Sequence, residues 1–289
     1  MASKKSFQEI ATEWQAEKSG KIKESSFSSY SIVLNGSILP LIGDKVDVSE
    51  ADVREMIDKL RESGVKESSF RNYVQIVKNI LKYGSEKGYC DYPSWRISFQ
   101  SKDSPQRTGP LLLTPTQEKK LVDHLTKNPT PRHLGMFIAL ANGIKLGEVC
   151  TLQWSAVDTK EGILNVIEDT GSLRRIPIPD KINEFLAKQA KGKEKGAYVT
   201  TGTTTALPHP KSIRDSLKVV AKNLDLPVLT FQDLRHTFAV RCIESGCELV
   251  TLMNLLGISQ PGAIYDLYAP YFKVDARRAI NGRASLLKL

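Results

Sequence analysis

The sequence has few of the residues that build metal centres, disulfide scaffolds or membrane spans. Four cysteines and four histidines occur among 289 residues, and the cysteines show neither metal-ligand nor disulfide spacing. No apolar run approaches the roughly 20 residues that cross a bilayer. The segment Met1–Ser6 leads into a polar amphipathic pattern without the apolar core of a signal peptide. We therefore expect a cytoplasmic protein with no metal site and no membrane partner.

Acidic residues are also in deficit, since 41 Lys and Arg oppose 32 Asp and Glu, a formal net charge of +9. Residues 1–100 carry 15 basic and 14 acidic side chains, whereas residues 101–289 carry 26 and 18. A basic region attracts polyanions, and nucleic acid first, by neutralising phosphates and releasing counterions. The same excess also serves solubility, so charge alone leaves both interpretations open.

Hydrophobic periodicity predicts a helical first domain without strands. Apolar residues recur at helical spacing in three segments: 7–14, 53–60 and 70–81. Ser49 and Gly64 are typical of the start and the stop of one helix. The sequence at 38–43 predicts a break in an earlier helix.

The second domain is predicted to be mostly helical with a small antiparallel sheet. Pro, Ser, Lys and Gly concentrate in 93–111, which predicts a linker between domains at 1–92 and 112–289. Strand patterns at 162–167 and 174–178 flank a turn. Helical patterns follow at 180–189, 210–224, 233–245 and 247–257.

A short motif occurs twice in the first domain, 43 residues apart. Lys-Glu-Ser-Ser-Phe followed by Tyr begins at Lys23 and again at Lys66. Each copy is expected to start a helix with Ser as its cap and the aromatic residues inward. One interpretation is that the N-terminus of each helix directs its N–H groups, hydroxyls and Lys towards DNA phosphates. The other is that the two helices merely have similar caps. The candidate DNA contacts are Lys23, Ser25, Ser26, Lys66, Ser68, Ser69 and Arg71.

Four segments of the second domain contain recognisable motifs in a fixed order. They are Gly143–Trp154, Arg174–Pro179, Asp233–Ala239, and Leu255–Gly257 followed by Tyr268. This order resembles the boxes and the β2–β3 segment of the tyrosine recombinases, the phage-integrase family. The first domain, which ends its last helix near Tyr89–Pro93, resembles their core-binding domain.

The resemblance implies a mainly α fold: a helical, SAM-like core-binding domain, then a mixed α/β catalytic domain, forming a C-shaped clamp on duplex DNA. In active members a Tyr hydroxyl attacks a phosphate, which gives a 3′-phosphotyrosine and a free 5′-hydroxyl without metal or nucleotide cofactor. Two Arg stabilise the charge of the transition state. A Lys in the β2–β3 turn protonates the leaving hydroxyl, and His residues help to move protons.

By family position this chain keeps only part of that catalytic set. Tyr268 is the nucleophile position and Arg235 the second Arg, while the first Arg is Lys145, which keeps the charge but lacks the planar fork. His236 is expected to be a structural residue of its helix. At three further positions the family's catalytic residue is replaced, so the catalytic set is degenerate. Asp169 replaces the Lys, Gln232 replaces a His, and Ile258 replaces a His or Trp.

Other interpretations stay open for the retained residues. Tyr268 could simply pack in the core, and Tyr265 is the rival nucleophile if the register is shifted by three. Arg235 could pair with Glu148 or Asp233 rather than with phosphate.

Further basic residues are expected to face DNA, although a solvated surface explains them equally well. They are Arg174, Arg175, Lys211 and Arg214. Arg174 or Arg175 would also be the replacement donor for the missing hairpin Lys. The tail at 273–289 resembles the family segment that docks on a neighbouring subunit, which predicts self-association on DNA; a helix folded on its own domain is the alternative.

The residues and the resemblance together predict a sequence-specific double-stranded DNA-binding protein with impaired catalysis. It would act as a regulator (a repressor) or a recombination accessory of a phage or mobile element. We expect it to be bacterial or phage-encoded, cytoplasmic and associated with the nucleoid. One alternative is an active recombinase that forms a phosphotyrosine at Tyr268, and another is a subunit that supplies Tyr268 to a partner's site.

Overall fold

The structure is a computed structural model, and it describes residues 4–22, 24–99, 111–168 and 171–272; at 25 and 263 only the backbone is described. The chain divides into two compact units, Met1–Ser104 and Pro105–Leu289. In the described part of the chain, no helix is both long and apolar enough to cross a membrane.

The first unit is helical throughout its regular elements. Its helices are α1 Phe7–Lys18, α2 Glu24–Val33, α3 Leu39–Ile42, α4 Glu50–Glu62 and α5 Glu67–Glu86. Ser6 and Ser49 start α1 and α4 with capping boxes, as their hydroxyls accept backbone N–H groups three residues on. Phe7 and Phe70 lie in one apolar core that α1, α4 and α5 share.

Two expectations for this unit are wrong in detail. The predicted break at 38–43 is absent, because a π-helical turn at Leu34–Ile38 leads directly into α3, which contains Pro40. The repeated motif does begin two helices, but Lys66 rather than a Ser occupies the cap of α5, and it makes no side-chain capping bond.

The predicted linker overlaps the first unit. Trp95, Ile97 and Phe99 pack against the core of that unit. The domain boundary itself stays a prediction, since residues 100–110 lie outside the described ranges.

The second unit combines eight helices with a three-stranded sheet within its described residues. The elements are α6 Pro115–Lys127, α7 Pro131–Asn142, α8 Leu146–Thr151, β1 Val157–Asp158, β2 Ile163–Ile167, β3 Leu173–Pro177, α9 Asp180–Ala190, α10 Pro210–Asn223, α11 Phe231–Glu244, α12 Leu249–Leu256 and α13 Pro261–Tyr268. This arrangement confirms the predicted fold class.

The sheet is antiparallel in the order β1-β2-β3, and Val166 pairs with Arg174 while Asn165 pairs with Arg175. Side chains alternate between the two faces of a strand. On β3 this alternation buries Arg174 and Ile176 and exposes Arg175. The two adjacent arginines of β3 therefore lie on opposite faces, and only Arg174 points inward.

Two apolar clusters stabilise the second unit. The larger one gathers residues from α6 to α11 and from the sheet. The smaller one joins α11, α12 and α13, and it contains Ile264 and Tyr268. Because α11 contributes to both clusters and packs against α7, its polar residues lie between them.

Candidate active site

The local structure of α11 fixes three polar residues of the site. Thr230 starts the helix with a capping box, in which its hydroxyl accepts the N–H of Asp233 and the Asp233 carboxylate accepts the N–H of Thr230. Gln232, Arg235 and His236 follow at helical spacings of three and four, which places them on adjacent positions of one helix surface. The cap therefore sets the direction in which all three side chains leave the helix.

Arg235 is buried and bonded to two main-chain carbonyls. Its guanidinium donates to the carbonyl oxygen of Gly143 at 2.7 Å and to that of Leu256 at 2.5 Å. Burial lowers the pKa of this guanidinium from its ordinary value. The alternative ion pair between Arg235 and Glu148 is not the arrangement observed.

Tyr268 lies at the end of α13 with its hydroxyl 2.5 Å from Nδ1 of His236. Its side chain is only 2% exposed, whereas Tyr265 is 62% exposed. Burial raises the pKa of Tyr268 to about 12 and lowers the pKa of His236. The Gln232 amide nitrogen lies 3.2 Å from the other ring nitrogen of His236, so Tyr268, His236 and Gln232 form one hydrogen-bonded row.

Arg174 occupies the centre of a buried ion-pair cluster. Its guanidinium donates to Glu148 and to Glu168, each at 2.8 Å, and to the Leu256 carbonyl at 3.3 Å. The same Glu148 carboxylate accepts the backbone N–H of Lys145 at 2.7 Å, which caps α8. Arg174 and Arg235 consequently meet at a single carbonyl oxygen.

Lys145 stands at the rim of the site rather than within it. Its side chain is 44% exposed, and its ammonium lies 3.9 Å from a Glu148 oxygen. An open cavity of about 640 Å³ is lined by Lys145, Glu168, Arg174, Arg175, Gly257 and Ile258, among others. Three cationic side chains and one carboxylate are therefore among the groups that line the cavity.

The structure brings together several of the predicted site residues and separates others from them. Lys145, Arg174 and Ile258 line one cavity, and Arg235 is bonded to the carbonyl that Arg174 also contacts. Ile258 packs in the smaller apolar cluster. Lys23, Asp169 and the tail at 273–289 lie outside the described residues.

The remaining predicted DNA contacts lie at the surface of their own units. Arg175, Lys211 and Arg214 are exposed on the second unit, at β3 and in the first two turns of α10. On the first unit, Lys66, Ser68 and Arg71 are exposed, and Ser26 and Ser69 are half-buried. The side chain of Ser25 is outside the description.

Sequence reasoning missed the observed roles of three site residues, although it named Glu148 as an alternative partner of Arg235. His236 contacts the Tyr268 hydroxyl instead of being only structural, and Glu148 and Glu168 hold Arg174. For His236, the available signal was its position next to Arg235 in the motif Asp233–Ala239. No sequence signal indicated that Glu148 and Glu168 are partners of Arg174, because α8, β2 and β3 come together only through tertiary packing.

Metal ligation has no support from the described part of the chain. There, no three His, Cys, Asp or Glu side chains are grouped so that they could hold a metal ion. The described site residues carry guanidinium, ammonium, imidazole, phenol and carboxylate groups.

The site combines a phenol, an imidazole and two guanidiniums on a mainly helical scaffold. The sequence assigns a family to this arrangement. Residues 112–270 match the phage integrase family. The chain belongs to that family, as the motif order predicts.

Several relatives share most of the chain. The tyrosine recombinase XerC of Roseiflexus castenholzii is 27% identical over 227 residues, which cover 73% of this chain and 71% of the relative. XerA of Pyrococcus furiosus is 24% identical over 211 residues, 71% of each chain. XerD of Staphylococcus epidermidis is 25% identical over 231 residues, which cover 72% of this chain and 73% of the relative.

Solved structures show the same fold. The Tn1549 transposon integrase in complex with a circular intermediate DNA matches with a TM-score of 0.74 and 18% identity, covering 96% of this chain and 99% of that one. A lambda integrase dimer bound to a COC′ core site matches with a TM-score of 0.69 and 18% identity, covering 94% of this chain and 97% of that one.

Proposed function

We propose that this protein binds duplex DNA at a specific sequence and grips a backbone phosphate in the cavity beside Arg174 and Arg235. The convergence of these two guanidiniums on the Leu256 carbonyl carries the proposal. Paired guanidiniums offer the charge and the N–H geometry that suit a phosphodiester. The Tn1549 and lambda integrase structures with this fold are complexes with DNA, which supports the same partner here.

The proposal includes slow or absent strand cleavage. A recombinase must protonate a leaving hydroxyl, and such acid–base help is worth about 10²–10⁴-fold in rate. Gln232 and Ile258 stand where the family uses proton-transferring residues, and neither titrates near neutral pH. The Tyr268 hydroxyl is buried against His236. A regulator or a recombination accessory of a mobile element is the role that fits a site which binds without efficient chemistry.

Salt-titrated binding tests the DNA interaction. Fluorescence anisotropy with a duplex recovered by genomic pull-down should give an affinity that falls with a log–log salt slope of about −0.9 per phosphate contact. Arg235→Ala should weaken binding across sequences rather than relax base preference. An affinity that is equal at low and high salt would contradict a phosphate-gripping role.

A second candidate is an active recombinase, and the position of Tyr268 beside His236 and near Arg235 favours it. A suicide substrate with a nick beside the cognate site separates the two functions. A covalent protein–DNA adduct that disappears in Tyr268→Phe would establish cleavage and overturn the impaired-enzyme proposal. Unchanged binding in Tyr268→Phe, with no adduct from either protein, would support it.

Self-association on DNA through residues 273–289 and a place beside the bacterial nucleoid remain predictions from the resemblance. The genomic position of the recovered DNA would separate the possible roles. A site at a promoter indicates a regulator, and a site at an attachment sequence indicates a recombination accessory.

A further inference from the structure

The Arg174 side chain is unusual for an arginine because it is buried while one of its donors is unused. Its side chain is 6% exposed. The two terminal nitrogens contact Glu148, Glu168 and the Leu256 carbonyl, but the buried Nε has no hydrogen-bond partner among the described residues. A buried unsatisfied donor is costly, so this guanidinium has capacity for a further acceptor.

Arg174 and Lys145 differ in how firmly they are held in the site. Glu148 receives both the backbone N–H of Lys145 and the guanidinium of Arg174. The Arg174 guanidinium therefore lies next to the helix start whose side chain, at the first Arg position of the family, is Lys145. The Lys145 ammonium itself reaches only 3.9 Å from Glu148, and the Lys145 side chain is 44% exposed. The planar guanidinium at this end of the site therefore belongs to Arg174 on β3.

The two carboxylates around Arg174 are not equivalent. Glu148 is nearly buried and has a second role as the cap of α8. Glu168 is 24% exposed, lines the open cavity and lies at the end of the β2–β3 hairpin. An anion that enters the cavity meets Glu168 first, and Glu168 can turn to solvent without uncapping a helix.

The position of Arg235 adds a reason for an anion at this place. Arg174 and Arg235 donate to the same Leu256 carbonyl, so two like charges lie close together in a poorly hydrated environment. Such a pair is stabilised by a neighbouring anion. Glu148 and Glu168 supply that anion within the protein.

We propose that Arg174 supplies the guanidinium fork that Lys145 lacks and binds a DNA phosphodiester together with Arg235, and that the Glu168 carboxylate occupies the phosphate position in the DNA-free protein. Phosphate entry replaces the Glu168 contact at Nη1 of Arg174. The proposal rests on the DNA binding proposed above.

The experiment compares charge-matched variants in duplex binding at low salt. Glu168→Gln should bind about tenfold more tightly because the internal competitor loses its charge, whereas Glu161→Gln, the same change in an exposed residue before β2, should have little effect. Arg174→Lys should lose about tenfold because the charge remains and the fork does not. Lys145→Ala should lose less than Arg174→Lys.

A second measurement identifies the contacting group. The Nε–Hε resonance of Arg174, assigned by its absence in Arg174→Lys, should change its chemical shift when duplex DNA is added, because the guanidinium exchanges its Glu168 contact for a phosphate. Thermal unfolding of each variant monitors the fold, and if Arg174→Lys does not fold, the pair Glu168→Gln and Glu161→Gln decides alone.

The outcomes separate the two proposals. Wild-type protein that ignores duplexes at low salt refutes the DNA-binding function itself. Wild-type binding with equal gains in Glu168→Gln and Glu161→Gln, or with a larger loss in Lys145→Ala than in Arg174→Lys, leaves DNA binding intact and overturns the role of Arg174 and Glu168.

Discussion

Tyr268 is almost fully buried, with 2% of the residue exposed. Its ring packs at 5.6 Å from the His236 ring and 6.5 Å from the ring of Tyr271, between centroids. Burial raises its pKa to about 12, from an ordinary value of about 10. The folded protein therefore favours the protonated phenol, and its contribution to stability is full below about pH 10 and is lost as the pH rises through about 12.

The delayed ionisation of Tyr268 can be measured directly. The difference in absorbance at 295 nm between wild-type protein and Tyr268→Phe should appear near pH 12, as burial disfavours the phenolate. Tyr265→Phe, which removes an exposed ring three residues earlier, is the matched control. Identical difference titrations for the two variants would contradict the buried position of Tyr268.

Family spacing assigns Tyr268 and Arg235 to catalytic positions, because each lies within a short motif on one helix, and that assignment stays a prediction. It could not predict the partners of Arg174. An arginine in a strand is expected at the surface, since Arg is almost never fully buried unless paired. The pairing depends on Glu148, 26 residues earlier in the chain, and no local pattern joins the two positions.

The α12 helix depends on the glycine that ends it. Gly257 adopts φ +60° at the C-cap, and a Cβ there would overlap the Arg174 guanidinium and the Glu168 carboxylate. Both side chains are held by their ion pair, so they cannot give way without breaking it. The close approach of this helix end to β3 requires a residue without a side chain.

Gly257→Ala should accordingly destabilise the protein more than a glycine substitution of equal backbone strain. Gly246, just past the end of α11, has φ +90° and open space around it. Gly246→Ala should cost about 1–2 kcal/mol from the left-handed backbone alone. Gly257→Ala should cost more than that, since its Cβ also displaces the ends of the Arg174 and Glu168 side chains. Chemical denaturation measures both, and equal costs would argue against the packed geometry of Arg174.

At the scale of elements, periodicity and caps predicted most helices of both units and the hairpin. The cap of α4 at Ser49 and the strands β2 and β3 are cases where local signals sufficed. The two-residue strand β1 was missed because Val157–Asp158 is too short to show alternation. The π-helical turn at Leu34–Ile38 was also missed, since an inserted residue in a helix leaves no compositional mark.

The whole molecule has two units with separate apolar cores and unequal charge. The core of the first unit and the two clusters of the second share no residues. Most of the excess positive charge lies after residue 100. The second unit should therefore dominate the salt-dependent part of nucleic-acid binding.

Limited trypsin digestion tests the division of the chain. The Pro-, Ser- and Lys-containing sequence around Lys102 and Arg107 is typical of a linker, and cleavage there should leave two resistant fragments. Mass spectrometry of the early products measures this. Early cuts inside α5 or α11 instead would contradict two independently packed cores.

The Leu256 carbonyl, which receives both Arg174 and Arg235, links anion occupancy to the mobility of the hairpin. Glu168 is tied to that centre only by its ion pair, while its backbone belongs to the turn between β2 and β3. A phosphate that takes over the guanidinium would release this tether. We therefore expect the amide hydrogens of Gly171 and Ser172 to exchange faster in the complex than in the free protein, and those at the floor of the cavity to exchange more slowly.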